Sequence, residues 1–208
     1  MTISALDESR YIRGLNELAA RDRDLGNVLS RLGPPPMWDR KPGFPTLVHI
    51  ILEQQVSLAS AKACFDKLLA AVGALTPESL LTLDDRTLKG IGFSRQKTVY
   101  ARILAEAVQT GSLDLDGLSD LPDDEARERL MRLKGIGRWT ADIYLLMALG
   151  RPDVWPVGDL ALIIAAQRIK RLDTRPNRGE FEKLGEPWRP WRSVAARLLW
   201  HHYLSGEK

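Results

Sequence analysis

Cysteine is almost missing: Cys64 is the single one in 208 residues. One thiol closes no intrachain disulfide, and it cannot assemble a cysteine-ligated zinc or iron–sulfur centre, which takes several thiolates. Cys64 lies in an apolar helical pattern and reads as a small buried hydrophobe. Long apolar runs are missing too. LALIIAA, Leu160 to Ala166, is among the longest, far short of the ~18 residues that span a bilayer. The opening MTISALDESRY lacks the basic segment followed by an apolar one that marks a secretory leader. Nowhere do Val, Ile and Thr alternate with polar residues for long, so strands have little support. These absences predict a cytoplasmic, helical protein with no membrane partner.

What is present is ordinary in bulk and uneven in distribution. Hydrophobic residues at 44% and charged ones at 27% fit a globular chain long enough for one large domain or two small lobes. The net charge is only +3, but Arg168 to Lys208 carries ten Lys/Arg against five Asp/Glu, leaving the rest slightly acidic. A basic C-terminal segment suits a polyanion partner; it equally suits a solvated helix face.

Periodicity predicts helices throughout. LDESRYIRGLNELAARD is amphipathic, with Leu6, Tyr11, Leu15 and Leu18 near one face. GPPP (Gly33 to Pro36) and KPGFP (Lys41 to Pro45) break the chain. Further helices are expected over Thr46 to Gln55, Ser57 to Val72, a short TPESLLTL capped by Thr76, and a long one capped by Ser94 and ending near Gly111. LPDDEARERLMRL and RWTADIYLLMAL follow, then Asp159 to Lys170 and Pro190 to Leu204. The expected fold class is all-α, with residues 46–150 in one helical lobe and 1–45 plus 151–208 in a second. The proline-containing stretches mark the crossings.

LKGIG occurs twice, at Leu88 to Gly92 and at Leu133 to Gly137. The second copy lies between two strong helix patterns. Glycine permits unusual backbone angles and close approach, and the next helix begins with unpaired N–H groups at the positive end of its dipole. Such a turn can cradle a phosphate whatever the base sequence, with Lys134 adding charge; a plain helical hairpin fits the turn as well. The first copy follows only the short stretch DDRTLK and reads chiefly as a tight connection at Gly90 and Gly92.

Beyond the second copy, Trp139 opens the next helix and VWPVGDLAL sets Asp159 twenty residues later. LKGIGRWTAD with VWPVGDLAL resembles the helix–hairpin–helix, Gly/Pro-rich loop and aspartate of the HhH-GPD DNA glycosylase superfamily. Trp rather than Lys in the hairpin resembles its DNA-3-methyladenine glycosylase II branch. FPTLVHIILEQQVSLASAKACFDKL, GFSRQKTVYARILAEAV and PWRPWRSVAARLLWHHYL are similar to further segments of that branch. The similarity runs over roughly residues 40 to 205.

The resemblance implies two helical lobes with a DNA- and base-binding cleft between them, and a monofunctional glycosylase that excises alkylated bases of the 3-methyladenine type in base excision repair. It implies double-stranded DNA with a damaged base as partner, a monomer held on the nucleoid through DNA, and no cofactor or iron–sulfur cluster. Asp159 is then the catalytic carboxylate; capping the helix that follows is the competing and compatible role. Asp142 is its rival and reads as a structural acid. Trp139, Trp200 and Tyr144 are the base-pocket aromatics, each with core packing as the alternative. His201 stands where the branch can carry an aromatic, and Gly158 where many relatives have a second acid. Lys134, Gly135, Ile136, Gly137, Arg138 and Thr140 would meet the DNA backbone. Gln55 would fill the gap left by the flipped base, or simply end a helix. The backbone of Met131, Leu133 and Ile136 is the candidate seat of a monovalent cation. A non-catalytic DNA-binding relative is the alternative function, and a helical protein-interaction domain a third.

Overall fold

The structure is a computed structural model that describes residues 5–206. Among the described residues it contains twelve α-helices, two short 3-10 turns and no strand, so the all-α expectation holds. The chain divides into two compact units. Among the described residues, one is the continuous stretch Arg40–Tyr144; the other joins residues 5–39 to residues 145–206. Each boundary falls six residues earlier than the proline breaks suggest, for a local reason. Arg40 is tied into the first unit by a two-pronged ion pair to Glu53 (2.7 and 3.0 Å). The carbonyls of Leu145 and Leu146 accept from the Arg151 amide (3.0 Å) and the Arg197 guanidinium (3.2 Å), both in the second unit.

The first unit is built from α3 (Phe44–Glu53), α4 (Leu58–Val72), α5 (Pro77–Leu81), α6 (Asp85–Ile91), α7 (Arg95–Gln109), α8 (Asp123–Met131) and the start of α9 (Arg138–Met147). The core helix is α3: Leu47, Val48, Ile50, Ile51 and Leu52 are all buried, and α4 and α7 pack on it. Side-chain caps set the starts of three of these helices, at Thr76 and Ser94 as anticipated and at Ser57 in addition. Ser57, Thr76 and Ser94 accept from Ser60, Ser79 and Lys97 amides at the starts of α4, α5 and α7.

The expectation for the first LKGIG needs correction. Asp84 accepts from the Thr87 amide (2.7 Å) and starts α6, so Leu88 to Ile91 are helical and Gly90 lies inside that helix. Only Gly92 turns, at φ 120°, as the C-cap.

The second unit contains α1 (Glu8–Arg21), α2 (Arg23–Leu32), α10 (Leu160–Ile169), α11 (Arg178–Gly185) and α12 (Arg192–Leu204). α12 is its axis: Ser193 to Trp200 are buried without a break, and α1, α2 and α10 pack around it. Asp22 joins three elements. Its carboxylate caps α2 through the Asp24 and Leu25 amides (3.0 and 3.3 Å), receives Lys170 Nζ from the end of α10 (2.6 and 2.7 Å), and accepts the Trp188 indole N–H (2.7 Å). Burial pushes this carboxyl up, but the bonds from Lys170 and Trp188 outweigh it and hold it below its ordinary value.

Candidate functional site

In the first unit, α8 starts with Asp123, Asp124 and Glu125 at its positive end and stops at Met131. The chain then reverses over Leu133 to Gly137, held by Leu133 N–H to Leu130 (3.2 Å) and Ile136 N–H to Leu133 (3.1 Å). α9 opens with the Ala141 N–H donating to Gly137 (3.0 Å). Two constraints require glycine at 135: its φ is 100°, and a Cβ there would run into the ring of Tyr100 on α7. Gly137 faces open space. Lys134 and Gly137 are exposed, Arg138 and Trp139 partly so, whereas Ile136 is buried and pins the turn.

The hairpin is fastened from outside by a residue the sequence reading passed over. Gln54, at the end of α3, donates to the Gly135 carbonyl (2.9 Å) and to the Thr140 hydroxyl (2.9 Å). Thr140 is only 2% exposed, so its side chain braces the hairpin and is not a surface contact to DNA. Gln55, the residue after Gln54, is exposed, with φ 58°, beside exposed Val56 and Leu58. Lys97 donates to the Leu52 carbonyl (2.6 Å) just before this turn. The turn bearing Gln55 is therefore fastened at its base and bare at its tip. Of the carbonyls named as a cation seat, that of Leu133 already accepts the turn bond from Ile136.

Asp142 is buried and paired with Arg127 Nε (2.6 Å) and Arg138 Nε (3.6 Å). Burial pushes its carboxyl up, and the two guanidiniums pull against that. It is a brace between α8 and α9. Tyr144 also departs from expectation: it has no exposed surface, and its hydroxyl accepts the Gly43 amide (2.9 Å). An aromatic at that position packs the core of the unit and does not line a pocket wall. Periodicity could not separate the two roles.

In the second unit the loop before Asp159 is nailed down. Ser193 binds both the amide and the carbonyl of Val154 (2.9 and 3.2 Å), and Trp155 donates to the Phe181 carbonyl (3.0 Å) while stacking on its ring. Asp153 is gripped by Arg189 and Arg192. Asp159 then caps α10, accepting the Leu162 amide at 3.0 Å. The same oxygen, Oδ1, receives the Trp200 indole N–H at 3.3 Å, and each residue is 8% exposed. The predicted acid and one predicted aromatic are thus in contact. A second indole, Trp38, stands edge-on to Trp200 (6.5 Å, 79°) and to His201 (6.4 Å, 63°). His201 Nε2 lies 3.2 Å from the Leu32 carbonyl, so that ring is engaged with α2. Trp139 lies in the first turn of α9, in the first unit.

A glycine hairpin between two helices, and a capping aspartate met by an indole, define a helix–hairpin–helix protein with an acid–aromatic site. Comparison with known proteins places it more narrowly. A family model described as "HhH-GPD superfamily base excision DNA repair protein" matches residues 48–190, and the chain belongs to that superfamily. It is 30% identical to DNA-3-methyladenine glycosylase 1 of Schizosaccharomyces pombe, over 91% of this chain and 84% of that one. It is 28% identical to the alkylbase DNA glycosidase-like protein mag2 of the same yeast, over 93% and 94%. A solved S. pombe 3-methyladenine DNA glycosylase, in complex with abasic DNA, superposes with a TM-score of 0.80 at 27% identity, over 92% of this chain and 95% of that one.

Proposed function

We propose that this DNA glycosylase of the base excision repair superfamily releases alkylated purines of the 3-methyladenine type from duplex DNA by hydrolysing the N-glycosidic bond, without a covalent enzyme intermediate. The observation that carries the reading is the Asp159 carboxylate, held as the cap of α10 and bonded by the Trp200 indole. As the glycosidic bond breaks, its electron pair leaves with the base and positive charge builds on the sugar. A carboxylate fixed in advance stabilises that charge and takes the proton of the water that adds to the sugar carbon. An N-alkylated purine is cationic and departs neutral, so little acid assistance is needed. Indole faces attract such a cation, the role assigned to Trp200 and Trp139. A lyase would need an amine where Trp139 stands. Exposed Lys134, Gly137 and the N-terminus of α9 suit a phosphate, and the exposed Gln55 turn suits insertion at the vacated base position.

The test is release of 3-methyladenine from methylated duplex DNA by the native chain and by Asp159→Asn. Release by the native chain, with a loss of about a hundredfold or more in the variant and undiminished DNA binding, establishes the reading. Salt-sensitive DNA binding without release of any alkylated base identifies a non-catalytic binder instead.

A further inference from the structure

The loop between α2 and α3 carries an aromatic residue on a strained backbone. Trp38 has φ 52°, in the left-handed region where a bulky residue is uncommon and costs energy. The loop does not need the Trp38 ring to keep its place. Tyr11 donates its hydroxyl hydrogen to the Pro35 carbonyl (2.8 Å). Arg197, fully buried on α12, donates to the Met37 carbonyl (2.6 Å) and reaches Asp39 (3.4 Å). Bonds on both sides of position 38 therefore hold the backbone, and what the strained conformation achieves is the direction of the ring. That ring makes a T-shaped contact with Trp200, and Trp200 is the residue whose N–H reaches Asp159.

We propose that Trp38 is a positioning residue of the base site: its edge contact fixes the Trp200 indole in the orientation that bonds Asp159 and presents a set face to the base. This rests on the glycosylase reading above. An indole has a single donor, the ring N–H, so a small rotation of Trp200 breaks its bond to Asp159 and turns its face together. Loss of Trp38 should therefore change the chemical step and the discrimination between bases, while leaving the grip on DNA, which belongs to other residues, intact.

The test compares Trp38→Ala and Trp38→Phe with the native chain in single-turnover release of 3-methyladenine and of 7-methylguanine, together with the Trp200 indole N–H resonance, identified by its absence in Trp200→Phe. Expected for Trp38→Ala is a rate constant lower by about tenfold, a half-saturating DNA concentration within about twofold of native, a changed ratio between the two bases, and a displaced Trp200 resonance. Trp38→Phe, which keeps an aromatic edge, should recover most of each. An unmoved resonance with native rates overturns the proposal, and so does an equal loss on both bases that tracks a lowered melting temperature. If the native chain releases neither base, the glycosylase reading fails, and the resonance alone still decides whether Trp38 orients Trp200.

Discussion

Gln54 and Gln55 are neighbours of identical chemistry, and the fold gives them opposite jobs. Gln54 faces inward and fastens the hairpin; Gln55 stands bare at the tip of the turn. Gln54→Leu keeps the bulk, removes both bonds and leaves the Thr140 hydroxyl without its donor. It should cost about 1–3 kcal/mol, read as a lower urea midpoint, and should weaken duplex binding. Gln55→Ala should leave the midpoint unchanged within about 0.5 kcal/mol. The reverse pattern would remove the hairpin brace described above. Nothing in the string QQVS says which glutamine turns inward; that follows from where α3 ends, and helix ends are what pattern reading places least well. Asp159 was legible because an acid before an apolar helical run is a capping signal and because its spacing from the hairpin matched a family. Trp38 was not legible: it lies in a proline-rich break where no periodicity assigns a partner.

Two copies of one pentapeptide occupy two kinds of element, and substitution separates them. Gly90 lies inside α6 with open space around it, so Gly90→Ala should raise stability by about 0.5–1 kcal/mol through helix propensity. Gly135 combines φ 100° with the Tyr100 ring, so Gly135→Ala should lower stability by about 2–4 kcal/mol. Thermal unfolding of the two variants side by side checks both; equal effects would mean that the copies share a conformation. Most elements were legible from capping residues and apolar spacing, as at α4, α5, α7 and α10. Those passed over were α2, α6 and α11. α2 is masked by the end of α1, since Asp22 closes one helix and caps the next with no spacer. α6 and α11 are short and rest on tertiary burial of Leu88 and Phe181 rather than on a long periodic face.

At the scale of the whole molecule, the ion pair between Lys170 and Asp22 joins the early helices of the second unit to its late ones. Asp22 is held below its ordinary value in the folded chain, so its contribution is fully present above about pH 4, the range of an unfolded aspartate. It is lost as the pH falls through the lower folded value. Asp22→Asn should therefore be less stable than native at pH 6, by about 2–4 kcal/mol, and the gap should close towards pH 2 in urea titrations. A gap independent of pH would mean that the carboxylate charge contributes nothing. The division into one continuous and one split unit also has a consequence for how the protein is made. Chains leave the ribosome from the N-terminus and fold as units become complete. α1 and α2 emerge first, yet α12, which packs on both, is translated last. The middle of the chain can be finished while its beginning still waits, exposed, for its end. A nascent chain released before α12 would carry the complete glycine hairpin and Asp159, but that carboxylate would lack the Trp200 indole bonded to it, and α1 and α2 would stay uncovered.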